Sequence, residues 1–137
     1  MKTIKAVLVI ATLFLTSCEK SVSDTGLIGK WHIYGSGGGF SGQGANYNFD
    51  HMRLSADYKY YFVRNDAIIE KGSYVLSEYE NNIFPGEYSI RFSSKNKIDG
   101  GVSQITDKEM IINMISRDSI SFCDGMIDGF CYYFEKQ

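Results

Sequence analysis

The strongest constraint in this chain is a period of two. Lys30 to Tyr34 (KWHIY) sets Trp31 and Ile33 on one side of an extended chain and His32 and Tyr34 on the other. Glu87 to Ser93 (EYSIRFS) does the same with Tyr88, Ile90 and Phe92. No long stretch repeats its apolar residues at helical spacing. Short runs rich in aromatic and β-branched residues are cut instead by turn residues, which is the pattern of strands. Aromatics make up 15% of the chain, and its single proline sits in the turn Pro85-Gly86. The expectation is an all-β domain.

Further runs carry the pattern along the chain. Tyr47 to Ser55 places Met52 and Leu54 on one side, with His51 and Arg53 on the other. Tyr58 to Val63 groups Tyr58, Tyr60 and Phe62. Ile68 to Ser77 returns, with Gly72 as a bulge or bend. Ser94 to Gly101 reads as loop, with Ile98 as a residue to bury, and Val102 to Ile105 as a short strand. Glu109 to Ile115 (EMIINMI) is nearly all apolar, and periodicity leaves strand and helical turn both open there. Ser119 to Cys123 and Phe130 to Glu135 make the last pair. A meander of about eight such strands has two exposed edges unless it closes. An antiparallel up-and-down β-barrel is the expected fold, with a flattened sandwich as the alternative.

The last pair can be registered. Asp124-Gly125 and Asp128-Gly129 are turn formers, and a turn centred on Ile127 sets Cys123 opposite Cys131, Phe122 opposite Tyr132 and Ile120 opposite Phe134. The apolar residues then share one face. Facing cysteines lie within disulfide range, so an oxidising compartment permits a Cys123–Cys131 bond. Two unlinked, half-buried thiols are the other reading.

The N-terminus has its own grammar. Lys2 and Lys5 precede an apolar run, Ala6 to Leu15, that is too short to cross a bilayer, which takes roughly 20 apolar residues. Leu15-Thr16-Ser17-Cys18 follows, and it resembles the lipobox of bacterial lipoproteins. That resemblance implies a signal peptide over residues 1–17, cleavage before Cys18, and attachment of palmitate-type acyl chains, so that the lipid bilayer becomes a partner. Residues 18–26 read as a polar tether and residues 27–137 as the folded domain. The implied place is the bacterial cell envelope, on a membrane expected to be the outer one, facing the periplasm or the exterior.

Several activities are disfavoured. Removing Lys2 and Lys5 takes the formal charge from −2 to −4, and no basic run exists to hold nucleic acid. Residues 37–42 match G-x-G-x-x-G, but alternation follows where a phosphate-binding helix should begin. Gly35 to Gly44 reads instead as a flexible connection, a mere connector or a lid over a barrel mouth with Phe40 at its centre. Asp50 and His51 diverge on an extended chain, and the two histidines are read as surface residues. Two cysteines eight apart without a nearby histidine fall short of a zinc set. No enzyme, metal or cofactor is expected. The ten tyrosines and nine phenylalanines are the informative surplus. Tyr58, Tyr60, Tyr74, Tyr88 and Tyr132, with Phe40, are the candidates to line a ligand pocket, and the alternative is that the rings simply fill the barrel.

In their order along the chain, Leu27-Ile28-Gly29-Lys30-Trp31, the glycine stretch, the Tyr-x-Tyr run after Ala56-Asp57, Gly72-Ser73-Tyr74 and Asp128-Gly129-Phe130-x-Tyr132 resemble the lipocalin-like lipoproteins of Bacteroidetes-type bacteria. The resemblance covers nearly all of residues 27–136. Gly29-x-Trp31 is similar to the Gly-x-Trp of true lipocalins, which implies that Trp31 plugs the closed end of a barrel. The lipocalin arginine that packs on that tryptophan has no match, and the last strand carries Lys136 instead. The function implied is a lipid-anchored β-barrel that binds a small apolar or amphipathic molecule, without catalysis. The rival is a filled barrel that binds protein or glycan through its loops.

Overall fold

The computed structural model describes residues 25–79, 88–97, 105–125 and 129–137. Its elements are β1 (Gly29–Gly38), β2 (His51–Leu54), β3 (Lys59–Arg64), β4 (Ala67–Glu78), β5 (Tyr88–Lys97), β6 (Glu109–Ser116), β7 (Ser119–Asp124) and β8 (Phe130–Lys136). Each pairs antiparallel with its neighbour in sequence, and β8 pairs with β1 to close the barrel. The sandwich alternative is therefore set aside. Closure leaves no open edge among these strands.

Period two sorts the side chains as the sequence leads one to expect. Trp31, Ile33, Met52, Leu54, Tyr60, Phe62, Tyr74, Ile90, Phe92, Met110, Ile112, Ile120, Phe122, Tyr132 and Phe134 are all buried in one core. The ambiguous run Glu109–Ser116 is a strand. Gly72 lies at a register shift between β4 and β5, where a Cβ would stand 2.0 Å from the Ser93 carbonyl oxygen. The β3–β4 turn is built on Asn65 and Asp66, whose φ angles of 49° and 62° suit a tight hairpin. On the last hairpin Cys123 faces Cys131, Phe122 faces Tyr132 and Ile120 faces Phe134, the register expected from the sequence. The two sulfurs are joined, 2.07 Å apart, on the outer face.

Several boundaries differ from the sequence reading. β1 does not stop at Tyr34. It runs on through the glycines to Gly38, because β8 continues beside it and pairs Gly35 with Tyr133, Ser36 with Tyr132, Gly37 with Cys131 and Gly38 with Phe130. The glycines there give room to neighbours. A Cβ on Gly37 would stand 3.0 Å from the Tyr133 hydroxyl, and one on Gly38 would lie 2.0 Å from the Gly129 carbonyl oxygen. Only His51–Leu54 of the run 47–55 is strand. Tyr58 falls outside β3 with φ at 58°, so its side chain is 44% exposed instead of joining Tyr60 and Phe62 inside. β5 extends to Lys97, through residues read as loop. Ile105 is buried but lies in a turn, while residues 98–104, including Ile98, and the proposed turn centre at Ile127 lie outside the described residues.

Entry into β1 and exit from β8 meet at one end, here termed the lower rim. Trp31 is fully buried there, and its Nε1 donates to the Leu27 carbonyl at 2.8 Å. Lys136 Nζ lies 5.2 Å from the centre of the Trp31 ring and donates to the Gly26 carbonyl at 3.0 Å. Gly29 makes this possible. Its φ of 139° favours glycine, and a Cβ would come within 3.1 Å of Lys136 Cε. Thus a lysine, not an arginine, covers the tryptophan. At the other end, the upper rim, β1, β3, β5 and β7 finish and β2, β4, β6 and β8 begin.

Candidate functional site

The interior is a continuous web of rings. Phe92 is its hub, in contact with Tyr74, Tyr60, Phe62 and Phe122; Tyr60 also meets Phe62, and Phe122 meets Phe134, with centroid separations of 4.9 to 6.3 Å. Such pairs contribute about 0.5–1.5 kcal/mol each beyond the area they bury. Above them sits Phe49, 4.7 Å from Phe62 and 6.1 Å from Phe134. Phe49, Ala45 and Ile105 come from connections rather than strands, and all three are buried at the upper rim. Among the described residues, the loop ring that packs onto the core is therefore Phe49 and not Phe40.

The predicted pocket residues separate accordingly. Tyr60, Tyr74 and Tyr132 are fully buried. Tyr60 donates its hydroxyl to Glu70 Oε1 at 2.8 Å, and Tyr74 donates to the Ser55 carbonyl at 2.8 Å. Burial pushes the Tyr74 and Tyr132 hydroxyls up to about 12, helped at Tyr132 by the charge of Asp124. Burial and the hydrogen bond to Glu70 raise Tyr60 further still. Tyr88 is partly buried against the core, and the half-exposed Tyr58 meets Tyr74 at a tilt, ring centroids 5.6 Å apart. Phe40 is 95% exposed. These six side chains do not converge on one pocket. Cys18 lies outside the described residues.

The loop that carries Phe40 is pinned. Gly39 N–H donates to the Gly129 carbonyl at 3.3 Å, Gly42 N–H to Gly39 at 3.0 Å and Gly44 N–H to Gly38 at 3.1 Å. Ser36 Oγ donates to the Ala45 carbonyl at 2.6 Å. Gly38, Gly39, Gly42 and Gly44 all have φ between 67° and 91°, so this path favours glycine at every one of them. The glycine stretch is a shaped mount that holds one aromatic ring in solvent. Tyr47, on the same connection, is exposed as well.

Sequence reasoning missed the interior carboxylate. Glu70 is 1% exposed and accepts from Tyr60 at 2.8 Å and from Thr106 Oγ1 at 2.5 Å. Hydrogen bonds of this kind offset the desolvation of a buried polar side chain. Its signal was present, since Glu70 shares parity with Gly72 and Tyr74 on β4. His51 is also buried rather than superficial. Burial, then the nearby Lys30, hold its imidazole below 6.5. Asp50 does not orient it, because its carboxylate accepts from the Asn65 backbone N–H at 2.5 Å.

Among the described residues, concavities lie around Glu109 on the outer wall. One, of about 370 Å³, is lined by Tyr79, Lys108, Glu109, Ile111, Asp124 and Gly125. Its neighbour, of about 260 Å³, shares Glu109 and adds Val75, Ser77, Ser89 and Arg91. Among the described residues no three His, Cys, Asp or Glu side chains are grouped to hold a metal ion.

Comparison of the chain with protein-family models, with curated proteins and with solved structures finds no match.

Proposed function

We propose that this chain is a lipid-anchored, lipocalin-like barrel that serves as an interaction module of the bacterial cell envelope, binding a protein or glycan partner through its upper rim. One observation carries the reading: Phe40 is held in solvent on a pinned loop while the barrel below is packed with rings. An aromatic ring that is pre-ordered and exposed is suited to anchor an interface. Its burial contributes about 1.5–3 kcal/mol, and the hydrogen-bonded glycines beside it reduce the backbone entropy that binding would still have to remove. The membrane anchor is inferred from Lys2, Lys5, the apolar run 6–15 and Leu15-Thr16-Ser17-Cys18. An oxidised Cys123–Cys131 pair fits a compartment outside the cytosol.

A second reading has its own support. Phe49, Ala45 and Ile105 of the upper connections are buried on the core, and Glu70 with Tyr60 and Thr106 forms a polar group among apolar walls. A small amphipathic molecule would enter there if Phe49 swung aside.

The two readings separate in paired measurements on the full chain from its native host. Native mass spectrometry should show no retained small molecule. A photo-crosslinking amino acid at Phe40 should give a discrete adduct that the same group at Val75 on the outer wall does not. A retained apolar molecule that shifts the methyl resonances of the interior residues Ile90 and Ile120 would replace the first reading with the second.

A further inference from the structure

The placement of the chain entry bears on which end of the barrel would meet a bilayer. This inference rests on the acylation of Cys18 proposed above. Residues 25–28 enter at the lower rim, where Gly26 is bound by Lys136 and Leu27 is buried in the core. Cys18 precedes Thr25 by seven residues. However those residues are arranged, they reach at most about 25 Å. A wall of roughly eight-residue strands, tilted by about 35–45°, stands about 20 Å tall. Turning the upper rim to the membrane would consume nearly the whole tether along the wall, with the β1–β2 connection still to clear.

The lower rim also has the chemistry for an interface. β6 ends there in a register shift between Met114 and Ser116, which leaves Ile115 without a partner on β7. Met114 is 45% exposed and Ile115 57% exposed. Arg117 in the following turn is exposed too and carries a positive charge that suits phosphate headgroups. The turn is tied to the entry site, because Lys136 N–H donates to the Asp118 carbonyl at 2.8 Å while its Nζ holds Gly26. Tyr58 lies on the β2–β3 turn at the same end and is exposed as well.

We propose that the lower rim is the membrane-facing surface, with Met114 and Ile115 entering the headgroup layer of the bilayer that holds Cys18. The upper rim and Phe40 then point away from the membrane, toward the partner.

The acylated full chain, purified from membranes, is reconstituted in phosphatidylethanolamine/phosphatidylglycerol vesicles with and without nitroxide-bearing acyl chains. A coumarin-bearing amino acid stands at Ile115 in one preparation and at Phe40 in another. The expected result is a loss of more than half the emission at position 115 and no loss at position 40. Equal loss at both positions means a barrel lying on its side, and it overturns the orientation. Loss at 40 alone, or at neither while the chain stays vesicle-bound, overturns it as well. Mass spectrometry of the N-terminal peptide separates the two layers of the argument. An unacylated Cys18 overturns the anchor and the orientation together, whereas an acylated Cys18 with unquenched position 115 overturns only the orientation.

Discussion

Raising the pH should unfold this barrel through its buried tyrosines. Tyr74 and Tyr132 have hydroxyls pushed from 10.0 up to about 12 by burial, and Tyr60 is raised further. In the unfolded chain the same groups ionise near pH 10. Between those values the unfolded chain releases protons that the native barrel keeps, so native stability falls as pH rises. The contribution is fully present below pH 10 and is lost on the way to the folded value. Each of Tyr74 and Tyr132 accounts for about 1.4 kcal/mol per pH unit, hence about 3 kcal/mol across the interval. The pair together comes to between about 5 and about 6 kcal/mol, comparable to the entire stability of a small domain. The assay is urea unfolding followed by circular dichroism at a series of pH values from about 9 to about 12, with tyrosinate absorbance read in parallel. The midpoint should drop steeply above about pH 10, and tyrosinate absorbance from the buried groups should appear with unfolding rather than before it. Tyr132→Phe should lessen the slope by about one proton's worth, since it keeps the ring and removes the ionisable group. A stability that stays flat through about pH 11, or full tyrosinate absorbance with the fold intact, would refute the reasoning.

Three further outcomes are expected. Phe49→Ala removes the loop ring that packs onto the core, and it should lower stability by about 3–5 kcal/mol in chemical denaturation; a change under about 1 kcal/mol would mean the ring is not packed as described. Opening the Cys123–Cys131 bond with both cysteines changed to serine frees a loop with a sequence separation of 8 and should cost about 2.5 kcal/mol, measured as the shift in urea midpoint at constant slope. Gly29→Ala and Lys136→Ala should each destabilise by about 1–2 kcal/mol. Their double mutant should be less than additive, because the methyl at position 29 and the lysine stem compete for one space.

Much of this molecule could be read from period two alone. Alternation set the inward faces of the strands, and local turn chemistry set the register of the last hairpin, so that Cys123 met Cys131 as expected. Those features depend on residues close in sequence, which is why a single chain reveals them. The glycine stretch was legible only in part. Its flexibility in isolation was plain, but its length as strand depends on β8, whose Tyr133 and Phe130 occupy the space that side chains at Gly37 and Gly39 would need.

The amino-acid sequence by itself determined that the chain is built of strands, which faces they bury and where most of them turn, because sterics and hydrophobic alternation act over a few residues. Only the tertiary structure decided how far β1 runs beside β8, that Phe49 and not Phe40 packs on the core, and that Glu70 lies inside beside Tyr60 and Thr106. Each of these depends on contacts between residues far apart in the chain. Which of two phenylalanines is buried is settled by the space left when eight strands close, and no local pattern carries that information.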